Sequence, residues 1–158
     1  MALPADFEKE CLYRPSSWFV HDLISVSEKA VVAHTDTTRL GELVSSQNDL
    51  PGHPLHVPGA VMVQITGTLG NLHAVYGLGL RVSEGWVGYG THVRGARFPS
   101  IGTIGPLLEV ALEAQRVRRI RGRWFVEYQF TYTQEGRVIY QSEQAAVWAP
   151  GNIIGSMG

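Results

Sequence analysis

With 158 residues, 17.4 kDa and a formal charge of −1, the chain has the size of one domain, residues 1–158, able to bury roughly 68–70% of its unfolded surface. It is 44% hydrophobic and 17% charged. That excludes a disordered chain, and no apolar run approaches the roughly 18–20 residues of a membrane-spanning helix. The near-neutral charge offers no bulk attraction for nucleic acid or a membrane surface. The one cysteine, Cys11, excludes an internal disulfide and a cysteine-based zinc site. Residues 1–11 lack the basic-then-apolar plan of a secretion signal, so the expectation is a cytoplasmic protein with no metal and no cofactor.

Residues 6–13 read as a short helix stopped by Pro15. Trp18 to Ser25 and Ala30 to Asp36 read as strands, with the turn at Ser27-Glu28-Lys29. Thr37 to Val57, punctuated by Pro51, Gly52 and Pro54, reads as a long loop, and long loops inside compact domains are often functional. Gly59 to Gly77 is the most helical stretch; at 1.5 Å per residue it is about 28 Å long. Its apolar residues run nearly all round, which places it inside. Gly67 and Gly70 each cost about 1 kcal/mol relative to alanine in a helix, so they predict close approach of a sheet or another helix.

Four strands follow: Gly85 to Phe98, with Val87, Tyr89, Thr91 and Val93 on one side; Leu108 to Ala114; Trp124 to Tyr132; and Arg137 to Trp148, entered by a Gln134-Glu135-Gly136 hairpin turn. Their period-two alternation predicts a sheet with one face covered and one face wet. The layout is α+β, a curved antiparallel sheet wrapped around a central buried helix.

Asp49-Leu-Pro-Gly-His-Pro-Leu-His-Val-Pro-Gly59 stands directly before that helix. A Pro-Gly turn at a helix N-terminus presents backbone N–H groups carrying about half a positive charge. Aimed at a thioester carbonyl, they stabilise the enolate or tetrahedral oxyanion that forms there. Pro58, Gly59 and Ala60 are therefore the candidate substrate-binding residues, Gly59 because nothing on its Cα obstructs its amide. The loop adds three side chains that move protons, Asp49, His53 and His56. A proline-stiffened connector with two surface histidines is the plainer alternative.

The loop resembles the His-Phe-Pro-Gly-x-Pro-x-x-Pro-Gly signature of hot-dog-fold (3R)-3-hydroxyacyl-acyl-carrier-protein dehydratases. The likeness runs along nearly the whole chain: Arg14-Pro-Ser-Ser-Trp-Phe-Val-His-Asp22 resembles that family's first strand, Ala96-Arg-Phe98 its third, and Gly105 with Leu108-Glu-Val110 the entry to its long hairpin. The resemblance implies a hot-dog fold, acyl-CoA or acyl-carrier-protein substrates of fatty-acid or polyketide-type metabolism, and a homodimer or dimer of dimers whose sites lie at the subunit seam. Dimerisation also follows from geometry, since one sheet leaves an apolar helix partly open.

The departures fall on the chemistry. Aligned on Pro51-Gly52, the family's catalytic histidine is Asp49; aligned on Pro58-Gly59, its helix carboxylate is Gln64, and the loop is one residue longer. Gln64 orients a water or a hydroxyl but transfers no proton. Three readings remain. In dehydration, His53 or His56 removes the α-proton and Asp49 assists departure of the hydroxyl. In thioester hydrolysis, Asp49 is base or nucleophile and Gln64 places water. In the third, the chain binds acyl thioesters without turning them over, or supports an active relative.

Among the remaining residues, His21, His34, His73 and His92 read as packing or hydrogen-bonding groups, His73 with a polar partner in the core or seam. Trp18, Phe19, Trp86, Tyr89 and Phe98 read as core in preference to pocket walls. The arginine group at Arg116 to Arg123 reads first as a solvated turn. With Arg94 and Arg97, it is also the place where a phosphopantetheine phosphate or an acidic carrier protein would dock. No P-loop, dinucleotide fingerprint, Gly-x-Ser-x-Gly elbow or metal-ligand spacing is present in the sequence.

Overall fold

Six antiparallel strands and one long helix account for most of the computed structural model, which describes residues 1–154. The chain runs α1 (Phe7–Glu10), β1 (Asp22–Val26), β2 (Ala30–Thr35), α2 (Glu42–Ser45), α3 (Gly59–Leu72), β3 (Trp86–Arg97), β4 (Leu108–Ile120), β5 (Arg123–Gln134), β6 (Arg137–Pro150) and α4 (Gly151–Ile154). The strands pair in the order β1-β2-β4-β5-β6-β3, so β1 and β3 are the edges. Trp124, Val126, Tyr128, Phe130 and Tyr132 alternate along β5 as expected. Val126 to Tyr132 join Leu108, Val110 and Leu112 of β4 in one core with Ile65, Leu69 and Leu72 of α3. The sheet curves around the helix. Among the described residues no helix is long and apolar enough to cross a membrane.

Several elements differ from the expectation. The first helix is one turn, because Cys11 is already extended. The first strand starts at Asp22, not Trp18: the Trp18 and Phe19 carbonyls accept from the Thr68 and Thr35 hydroxyls at 2.9 and 2.5 Å, and Phe19 has φ +54°. Those carbonyls are thus taken by side chains and withheld from a ladder. The Ser27 turn forms as expected, with the Ser27 hydroxyl accepting from the Ala30 amide at 3.1 Å. The long loop contains α2 and a 3-10 turn at Thr37–Arg39.

In β3 the register shifts between Gly90 and His92, and Val93 pairs with Gln144. The bulge therefore turns Val93 to the helix side, away from Val87 and Tyr89. The β4–β5 hairpin runs to a turn at Arg121 and Gly122, φ +52° and +76°. The arginines from Arg116 to Arg121 are exposed, and Arg119 lies over the Trp124 ring at 5.5 Å.

Helix α3 continues into a π-helical turn, His73–Gly77. His73 is fully buried; its Nε2 lies 2.8 Å from the Glu28 carbonyl and its Nδ1 3.0 Å from the Tyr128 hydroxyl. A carbonyl only accepts, so the proton sits on Nε2 and the tyrosine donates to Nδ1. Burial holds the imidazole below its ordinary titration range, against a smaller opposing effect of the Glu28 bond. The folded state then binds fewer protons than the unfolded one below about pH 6.5, so stability is lost as pH falls through that value. Unfolding at about pH 7 and about pH 5 should show this loss, and His73→Gln should reduce the difference; an unchanged difference would assign it elsewhere.

Candidate active site

Helix α3 opens on Pro58, whose extended backbone (ψ +143°) turns the chain into the helix, and no side chain caps that end. Helical geometry leaves the first amides without intrahelical partners, and no acidic residue stands in the first turn. The Gly59 and Ala60 N–H groups therefore form an uncompensated positive end. Where a Cβ on Gly59 would lie, the Phe98 ring approaches to 3.1 Å, and Phe98 in turn packs on Tyr140 with centroids 5.3 Å apart. The missing Cβ at Gly59 thus admits Phe98, which flanks the helix mouth.

Beside this end runs a groove of about 350 Å³ lined by Tyr13, Ser17, Phe19, Leu43, Ala60 and Gln64. Gln64 lies one turn beyond Ala60 on the same helix face, and its Nε2 donates to the Ser17 carbonyl at 3.3 Å. That bond points the amide into the groove's N-terminal wall and leaves the side-chain oxygen to accept.

The Pro51-Gly52 turn is closed by the His53 amide donating to Leu50 at 2.9 Å, with Gly52 at φ +76°. His53 is exposed and its ring centroid lies 5.2 Å from that of His56. The His56 Nδ1 is 3.2 Å from the Pro54 carbonyl. Asp49 is exposed and takes part in no ion pair or hydrogen bond among the described residues. The loop thus brings its two histidines together. None of Asp49, His53 and His56 lines the groove that holds Ala60 and Gln64 in the same chain.

Two residues outside the motif fix this geometry. Gln47 grips the backbone of His56, donating to its carbonyl at 2.8 Å and accepting from its amide at 3.3 Å. Gln134, fully buried, accepts from the Thr103 amide at 2.8 Å and donates to the Thr103 and Pro106 carbonyls, both at 2.9 Å. Thr103 in turn bridges to His56, and Gly102 accepts from the Val57 amide at 2.8 Å. The chain entering the helix is therefore held from the sheet. Gln134→Leu leaves the Thr103 amide and carbonyl unpaired, the Pro106 carbonyl keeping the Thr37 hydroxyl at 3.0 Å, and should lower stability by about 2–3 kcal/mol, read from the urea midpoint; a loss under about 0.5 kcal/mol would contradict this bracing. Neither glutamine carries a local sequence signal; of the groove walls Tyr13, Ser17 and Phe19, the sequence assigns Phe19 to the core and gives Tyr13 and Ser17 no site role.

No family model and no curated protein matches the sequence. Solved structures do match. The dehydratase heterocomplex ApeI:P from Xenorhabdus doucetiae is similar at TM-score 0.66 and 16% identity, over 99% of this chain and 98% of that one. The thioesterase HI1161 from Haemophilus influenzae is similar at TM-score 0.61 and 15% identity, over 89% and 86%. The E. coli PaaI protein from the phenylacetic acid degradation operon is similar at TM-score 0.59 and 15% identity, over 79% and 80%.

Proposed function

We infer from the hot-dog fold, which the chain shares with solved thioesterases and a dehydratase, that its substrates are acyl thioesters. We propose that this chain is an acyl-thioester-processing enzyme, and that its reaction is dehydration of a 3-hydroxyacyl thioester carried by CoA or an acyl carrier protein. The observation that carries this reading is the uncapped N-terminus of α3 opening on a groove. The Gly59 and Ala60 amides donate hydrogen bonds to the thioester carbonyl oxygen and stabilise the charge that grows on it.

An imidazole of the His53–His56 pair takes the α-proton. The electron pair closes the Cα–Cβ double bond as the Cβ–O bond breaks, and the hydroxyl leaves as water with the proton the imidazole has taken, steered by Asp49. Gln64 holds the hydroxyl before it leaves. The loop and the groove lie apart within one chain, so a second subunit must bring its loop to the first subunit's groove. Edge strand β3 exposes Tyr89 and Val93, and α3 exposes Val63; an unpaired edge of this length needs a cover. Light scattering at micromolar concentration should give twice the chain mass; a monomer alone would leave each groove without its proton carriers.

A second reading, hydrolysis with Asp49 as base or nucleophile, is favoured by the unpaired state of that carboxylate and by the amide at Gln64, which places water without transferring a proton. Assay with 3-hydroxyacyl and saturated acyl thioesters separates the two: enoyl product supports dehydration, and free thiol from the saturated ester supports hydrolysis. Tight binding without either product would make the chain a non-catalytic thioester binder.

A further inference from the structure

Beyond the groove, between α3 and the sheet, lies a second cavity of about 160 Å³, close to the volume that holds a benzene-sized group. Its floor is glycine: Gly67 and Gly70 from the helix, Gly88 and Gly90 from β3. These helix glycines were expected to admit a close neighbour. Instead, a Cβ on Gly70 would meet nothing within 4 Å, and one on Gly67 would meet only the Tyr13 ring, at 3.7 Å. They leave space. Tyr13 lines both the groove and this cavity, so the two share a wall. Ala60, Gln64, Gly67 and Asn71 follow one another at helical spacing along one face, and Asn71 stands about 16 Å from Ala60 along the axis.

The far end of the cavity has two polar atoms without partners. Asn71 is 4% exposed; its Nδ2 donates to the Gly67 carbonyl at 2.8 Å, which fixes the amide orientation, and its Oδ1 is buried with no donor. Trp148 is 3% exposed, and its buried Nε1–H completes no hydrogen bond, the Tyr128 hydroxyl beside it being engaged by His73. Gly88 holds that indole in place, because a Cβ there would collide with the ring. The neighbouring Thr66 hydroxyl is already used, on Val63 and Gln144. Buried polar groups without partners are rare and costly. Among the described residues no charged side chain lines the cavity, so its complement is neutral: a group that donates to Asn71 and accepts from Trp148.

We propose that this cavity receives the far end of the acyl chain and selects one that carries a hydroxyl there, through Asn71 Oδ1 and Trp148 Nε1. The inference rests on the acyl-thioester reading of the groove. It assigns specificity to a polar contact at the chain terminus, where an all-apolar tunnel would measure length alone.

The test is calorimetric binding of paired acyl-CoA thioesters, each alkyl chain matched by its ω-hydroxyl counterpart across a range of lengths. At the length that reaches Asn71, the hydroxylated partner should bind about tenfold tighter, equivalent to about 1.4 kcal/mol. Asn71→Leu should abolish that preference while alkyl thioesters still bind. Trp148→Phe keeps the ring and removes the donor, and should also abolish it, so the test survives if either variant fails to fold. If alkyl and hydroxylated chains bind wild-type protein equally at every length, the two atoms hold a water and the inference is overturned, while the thioester reading stands. If no thioester binds, both fall.

Discussion

His53→Ala lowers kcat/KM for dehydration of a 3-hydroxyacyl thioester by about a hundredfold or more, the usual contribution of a positioned acid–base group, and leaves the melting temperature unchanged. The second half follows from exposure: His53 lies on the surface of the Pro-Gly turn, and what holds that turn is its backbone amide on Leu50, which alanine keeps. The first half follows from the scarcity of proton carriers at the helix mouth. Gln64 transfers none, and no acidic side chain stands in the first turn of α3. His56 sits beside His53, but the bond of its Nδ1–H to the Pro54 carbonyl fixes its ring where it stands, so its free Nε2 does not swing into the place of His53. Asp49→Asn separates the two chemistries: a modest loss accompanies dehydration, whereas hydrolysis by this carboxylate would vanish. Full turnover in both variants would move the chemistry away from this loop.

Phe7→Ala costs about 3–5 kcal/mol, the range for emptying a fully buried aromatic site. Phe7 is 0% exposed, 4.9 Å from the Trp18 ring centroid and 6.1 Å from that of Tyr76. Its one-turn helix is also tied by polar bonds. Glu10, almost wholly buried, accepts from the Ser83 amide at 3.0 Å and from the Ser83 hydroxyl and Arg81; Asp6 accepts from Tyr76 at 2.8 Å and Arg81 at 2.9 Å. Phe7, Trp18 and Val20 thus anchor residues 1–21 to the core, and through Tyr13, Ser17 and Phe19 the segment walls the groove. Chemical denaturation reads the loss, and thioester binding should weaken with it. A cost under about 1 kcal/mol would mean that this segment detaches independently and lends the groove no rigid wall.

The layout was legible where local pattern and tertiary packing agree. The β5 alternation survives intact because Val126, Tyr128, Phe130 and Tyr132 all turn into the one core, and the Gln134-Glu135-Gly136 turn forms with Glu135 and Gly136 at φ +51° and +76°. The β3 alternation misled, since the bulge at Thr91 comes from pairing with β6, a partner 54 residues away. Gly67 and Gly70 were visible as anomalies in a helix, but whether a glycine admits a neighbour or leaves a void depends on what lies opposite. The loop proposed to carry the chemistry stands out through its prolines and histidines. Its bracing does not, because Gln134 acts on Thr103 from 31 residues away and the Gln47 side chain grips only backbone atoms of His56.

The most direct measurement is a crystal structure with a non-cleavable acyl-pantetheine analogue, its sulfur replaced by a methylene. The account predicts the analogue's carbonyl oxygen within about 3.2 Å of the Gly59 or Ala60 nitrogen, its chain passing Gln64 and Tyr13. An analogue seated elsewhere, or a helix mouth closed by the Phe98 ring with the groove empty, would contradict it.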